Sequence, residues 1–120
     1  MSSTQAEKER IESIRKRFLQ ESPRMRLGHL ASDLARITSF IQIKLKLKAV
    51  KSIMQESQFF VDWTIREVEP LAQKLLSEIQ RFVAQKELEL EQGLQNEEWK
   101  NSLCDQLRYW SQELLEKADF

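Results

Sequence analysis

The sequence has two glycines and two prolines in 120 residues, one cysteine and one histidine, and no apolar run near the ~18 residues needed to cross a bilayer. So little Gly and Pro excludes the many turns of an all-β fold. A lone cysteine, Cys104, excludes an internal disulfide and fits a reducing compartment. It sits among apolar positions at helical spacing, so it reads as a buried structural thiol rather than a reactive one. A lone histidine, His29, excludes the two Glu-x-x-His pairs of a di-iron bundle; zinc spacings built on paired Cys or on His-Glu-x-x-His are absent as well. His29 reads as a surface or helix-capping residue. Gly28 and Gly93 alone cannot form a glycine-rich phosphate loop. The expectation is a cytoplasmic protein that is not an enzyme, takes no cofactor or metal, and has no membrane partner.

What is present is helix-forming. Leu, Gln, Glu, Lys, Arg and Ala dominate, 41% of residues are hydrophobic and 32% are charged. That suits a single domain, 1–120, with a real core and a solvated exterior. Net charge is zero but divided: residues 1–60 hold twelve Lys/Arg against six Asp/Glu, net +6, and residues 61–120 hold seven against thirteen, net −6. Such asymmetry marks either a contact with nucleic acid or charge satisfied inside the fold or between subunits. Internal satisfaction is the reading preferred here.

Apolar spacing and punctuation define the elements. Thr4 and Glu7 have capping-box spacing ahead of Ile11, Ile14 and Phe18, which predicts a helix over 4–21. Ser22 is a good N-cap and Pro23 suits a first helical position. Leu27, Leu30, Leu34, Ile37 and Ile41 then carry a helix over 24–43. One helix from 24 to 68 would be about 67 Å long, against a radius of gyration of about 14 Å for a compact chain of this size. Either the protein is elongated or the chain bends, and the place for a bend is between Ser39 and Lys46, where β-branched residues crowd and the stripe broadens. Leu47, Val50, Met54, Ser57, Val61, Thr64 and Val68 mark a helix over 46–68, and Pro70 stops it and opens the next. Ala72, Leu75, Leu76, Ile79, Phe82, Val83 and Leu90 carry 70–92, with Gly93 as the stop. Asn96 caps a last helix over 97–118, whose seam is Trp99, Leu103, Leu107, Trp110 and Leu114. The fold class is all-α: an antiparallel bundle of four to five helices with a long helical hairpin around Pro70.

Two stretches alternate like strands. "IQIKLKLKAV" (41–50) places Lys at every second position from 44, and "KELELEQ" (86–92) does the same with Glu. Strands need turn punctuation and partners, and "IQIKLKLKAV" has no Gly, Pro, Asn or Asp nearby. As helices, Lys44, Lys48 and Lys51 share one side, as do Glu87 and Glu91, and each set repels itself. Folding the hairpin at residue 69 sets Lys48 opposite residue 90 and Lys51 opposite Glu87. The expected interhelical charge match is thus Lys48 and Lys51 with Glu87 and Glu91, each bridge worth ~0.2–1 kcal/mol. The alternatives are that both runs are merely solvated faces, or that they form a two-stranded ribbon.

The aromatic residues at helical spacing read as core or subunit interface before cofactor box. Phe59, Trp63 and Trp110 lie at the margins of their stripes and are the candidate interface residues, in a chain expected to form a homodimer, by coiled-coil-like packing or otherwise. Arg15, Lys16, Arg17, Arg24 and Arg26 straddle the first helix break and form a candidate phosphate-contacting corner, diluted by Glu7, Glu9, Glu12 and Glu21. The leading expectation is a helical module for protein–protein interaction or self-association. The alternative is an accessory nucleic-acid-binding or regulatory protein using that corner.

"LASDLARITSF" (30–40) and "ESQFFVDWT" (56–64) resemble recurrent stretches of a group of small, uncharacterised helical proteins of cyanobacteria. The resemblance covers about a third of the chain and implies a helical fold in a bacterial cytoplasm, with no activity, cofactor or site residue to carry over. Members of that group have a polar, turn-like linker between the two blocks, where this chain has "IQIKLKLK".

Overall fold

A computed structural model describes residues 4–44 and 46–118. Among these residues there are five α-helices and no strand: α1 (Gln5–Leu19), α2 (Pro23–Gln42), α3 (Leu47–Thr64), α4 (Pro70–Gly93) and α5 (Glu97–Ala118). A single 3₁₀ turn, Ile65–Glu67, follows α3. The local signals account for the boundaries. Thr4 Oγ1 accepts from Glu7 N–H at 3.1 Å, and Ser22 Oγ accepts from Met25 N–H at 3.2 Å ahead of Pro23. Asn96 Oδ1 accepts from Trp99 N–H at 2.9 Å. Each cap satisfies a first-turn donor that has no carbonyl partner within its helix. The expected bend is a full break after Gln42, where Lys44 adopts a left-handed φ of 57°. It keeps the chain compact, with a radius of gyration of 14.3 Å.

The most extensive helix contact is not the hairpin around Pro70 but α2 against α5. Three contacts set seven residues apart on each helix fix their antiparallel register. Arg24 Nε donates to the Ala118 carbonyl at 3.0 Å, Ser111 Oγ donates to the Ala31 carbonyl at 2.9 Å, and the Thr38 hydroxyl meets the Cys104 thiol. Seven residues are nearly two turns, so all three lie on one flank of each helix. Ala31 and Ser111 are small enough to bring the backbones together there. Around them Leu30, Leu34, Ile37, Val50, Met54, Leu76, Ile79, Leu103, Leu107 and Leu114 form the core. Most of the expected stripe positions are buried; Leu47 stands exposed at the broken α2–α3 tip, and Ile11, Ile14, Val68, Leu75, Phe82 and Trp99 are only partly covered.

Gly93 has a role other than the expected helix stop. It is the last residue of α4, buried, and its φ is not left-handed. A Cβ there would meet the Trp99 indole ring far inside van der Waals contact. That ring cannot swing away freely, because its Nε1–H donates to Glu89 at 2.8 Å and Lys86 Nζ lies 5.7 Å from its centroid. The same indole bond, with help from Gln85 and Lys86, holds the Glu89 carboxyl below its ordinary pKa. Gly93→Ala is expected to displace Trp99 and cost about 1–3 kcal/mol, despite the higher helix propensity of Ala. A urea titration checks this; an unchanged or raised midpoint would mean the corner yields at no cost.

Candidate interaction surface and buried charge sites

α1 is the least embedded helix. Its one buried side chain is Phe18, and it rests mainly on α3. Phe18 stacks on Phe60 at 4.1 Å and lies 5.9 Å from Trp63. Trp63 in turn stacks with Phe59 at 5.5 Å, the two rings 15° from parallel. The result is a line of four aromatic rings running from the core outward along α3. Its inner end is buried, whereas Trp63 is half-buried and Phe59 is 36% exposed. Beside the outer pair, a narrow crevice separates Ile11 and Ile14 of α1 from Ser52 and Gln55 of α3. Of the three expected interface residues, Phe59 and Trp63 therefore come together at one seam. Trp110 does not join them. It is buried between α4 and α5, edge-to-face on Phe82 at 5.0 Å, because the α5 seam is wider than its spacing suggests.

The basic corner is not assembled as expected. Arg26 is 5% exposed and points inward. Its guanidinium donates to the carbonyls of Leu19, Glu21 and Trp63 and to the Glu67 carboxylate. These carbonyls lie at or just past the C-terminal ends of α1 and α3, where helical carbonyls lack an intrahelical donor. Arg26 thus satisfies three such acceptors and places a positive charge at two negative helix ends. Arg24 is committed to Ala118. The exposed cations Arg15, Lys16 and Arg17 belong to α1, with Arg15 3.4 Å from Glu12 and the other two in the last turn, where the helix dipole favours them.

The charge match between α3 and α4 also needs correction. The helices are antiparallel as expected, but Glu87 accepts from Gln55 at 2.7 Å and from Gln58 at 2.8 Å. Gln80 reaches back to the Gln58 carbonyl at 3.1 Å and to Asp62. This register sets Lys51 level with Glu91 rather than with Glu87. Lys48, Lys51 and Glu91 are all exposed, and no ion pair joins Lys48 or Lys51 to Glu87 or Glu91 among the described residues. Neutral glutamines occupy the seam where lysines were expected, since an amide held against a half-buried carboxylate is cheaper to desolvate than an ammonium.

A titratable site escaped the sequence reading. Asp33 on α2 is 3% exposed and faces α3. Arg36 Nη1 donates to its Oδ1 at 3.2 Å and lies 3.9 Å from Glu56. The Glu56 carboxyl is within hydrogen-bonding reach of Asp33, yet Oδ2 of an ionised Asp33 has no donor. Protonation of Asp33 relieves that unmet acceptor, since the carboxyl then carries a donor of its own. Burial, then the Glu56 hydrogen bond and charge, push Asp33 up to about 9, with Arg36 opposing. The sequence signal was a lone Asp on the buried side of the α2 stripe, one residue before Leu34.

His29 is exposed and its ring meets Glu21 at 2.7 Å. Cys104 is buried beside Thr38, which lies nine residues and roughly 13 Å from His29 along α2. Burial pushes the Cys104 thiol up, away from the reactive thiolate. Among the described residues no three metal-ligating side chains cluster, and no helix is long and apolar enough to cross a membrane. No family model, curated protein or solved structure matches the chain.

Proposed function

We propose that this protein is a non-enzymatic helical module that acts by binding protein, and that the outer end of the α1–α3 seam is its contact surface. The observation carrying this reading is the stacked Phe59–Trp63 pair, left half in solvent beside a helix that is itself lightly held. Rigid aromatic side chains present large contact area at low entropic cost, and such residues dominate binding energy at protein interfaces. The buried polar groups at Arg26, Ser111 and Thr38 are engaged in joining or supporting helices, which is a structural use. The reading keeps the bacterial cytoplasm as the setting implied by the cyanobacterial resemblance.

Phe59→Ser removes the outer ring at a site where the fold loses little burial. The immobilised wild-type protein is expected to retain one or more proteins from its native extract that the Phe59→Ser protein releases. Helical content and unfolding midpoint should stay close to wild type. An identical retained set for both proteins would eliminate the seam as the contact surface.

A further inference from the structure

The opposed lysine and glutamate runs remain to be explained, since they do not pair within the chain. Gln55–Glu87 and Gln58–Gln80 fix α3 and α4 antiparallel, so the start of α3 and the end of α4 lie at the same end of the bundle. The end of α2 and the start of α5 are there too, because Lys44 and Glu97 line one shallow depression. On one side of this end stand Lys44, Lys46, Lys48 and Lys51, all exposed. On the other stand Glu91 and Glu98, also exposed. Among the described residues none of these six takes part in an ion pair, although Arg36, Lys86, Lys100 and Arg108 each find a carboxylate within one turn of their own helix.

The lysines gain nothing from their own helix. Lys46 is the N-cap of α3 and makes no capping bond, and Lys48 lies in the first turn. Positive charge there opposes the helix dipole. Large aliphatic side chains stand among the charges without cover: Ile43 is 66% exposed and Leu88 83%. Leu47 at the same tip is 38% exposed.

We infer that this end of the bundle is a self-complementary surface on which a second copy of the chain docks by a two-fold rotation, the Lys44–Lys51 tip of each copy meeting the Glu91 and Glu98 turn of the other. Closed two-fold contacts require each patch to face its complement in the partner, and patches of opposite sign lying side by side meet that condition. Ile43, Leu47 and Leu88 would then be covered between the charged rims, the usual arrangement of an interface. An anionic bilayer or a nucleic acid fits less well, since either would be repelled by the glutamate half. The inference deepens the protein-binding reading by naming one partner, and it uses a surface separate from Phe59 and Trp63.

Sedimentation velocity of the full chain at low and at high salt tests it. Wild type is expected to dimerise reversibly, more weakly as salt rises. Lys48→Glu with Lys51→Glu, and separately Glu91→Lys with Glu98→Lys, should each weaken self-association roughly tenfold or more. An equimolar mixture of the two variants should recover association as a one-to-one heterodimer, because all four changed charges then face opposites. Leu88→Asp, at a side chain the fold scarcely covers, should weaken association without charge reversal, even if a double variant folds poorly. A wild type that stays monomeric at every concentration overturns the inference, as does a mixture that fails to recover or a Leu88→Asp protein that dimerises normally. Salt-sensitive binding of monomeric wild type to phosphatidylserine vesicles or to duplex DNA, lost on reversing Lys48 and Lys51, would assign the tip to that ligand instead. Loss of the dimer with Phe59-dependent capture intact separates a failure here from a failure of the broader reading.

Discussion

Arg26→Met is expected to lower the unfolding free energy by about 3–5 kcal/mol, the range for removing one partner of a buried ionic cluster. The loss has two parts. Three carbonyls, of Leu19, Glu21 and Trp63, lose their side-chain donor where it had been enclosed. The ends of α1 and α3 also lose the cation that opposes their dipoles. Glu67, which is about half exposed, can turn to water and adds little. Arg26→Lys should recover only part of the loss, because one ammonium cannot reach acceptors spread over two helix ends. Arg17→Met, on the exposed face of α1, is the control and should change stability by about 0.5 kcal/mol or less. Urea titration gives the comparison, provided the slope is unchanged. Equal midpoints for Arg26→Met and Arg17→Met would show that the guanidinium is not what joins these helix ends.

Asp33→Asn is expected to change how stability depends on pH. The folded-state pKa is raised to about 9 from the 3.8 of an ordinary aspartate. Folded protein therefore holds a proton that the unfolded chain has released across the window between those values. Stability from this site is fully present below the lower value and declines as pH rises towards the upper one. One proton gives a limiting slope of about 1.4 kcal/mol per pH unit. Asn keeps the shape, has no proton to lose, and can offer an N–H to Glu56. The variant should thus gain on wild type steadily from about pH 5 to pH 8, approaching equality near pH 4. Parallel stability profiles over that range would show that Asp33 is not protonated in the folded protein.

The fold class and most helix boundaries were legible because the signals for them are local. Thr4, Ser22–Pro23, Pro70 and Asn96 act within one turn of their own positions, and burial recurs every three or four residues along each stripe. That a compact chain must break between 24 and 68 followed from size, and the crowding of β-branched residues between Ser39 and Lys46 placed the break observed after Gln42. The aromatic seam was half legible. Phe59 and Trp63 are four apart, so they stack whatever packs beside them, but the burial of Trp110 depends on Phe82 from another helix.

Charge was the least legible property. Arg26 looked like its neighbours in a basic run, and nothing local distinguishes the arginine that turns inward. The lysine and glutamate runs were correctly set on neighbouring helices, but their register was displaced by one turn. Glutamines 55 and 58 compete for Glu87 and win, because an amide surrenders less hydration than an ammonium.

Unaided, the order of residues determined that the chain is helical, where its helices begin and end, and which face of each turns inward. Those properties depend on interactions within about four residues, which any reader of the chain can enumerate. Tertiary structure alone decided that α2 and α5, joined through Ser111 and Ala31, make the principal contact. It alone turned Arg26 and Asp33 inward and left the charged runs side by side without partners. The physical reason is range: burial and ionic pairing follow from surfaces far apart in sequence, and many registers are nearly equal until the core selects one.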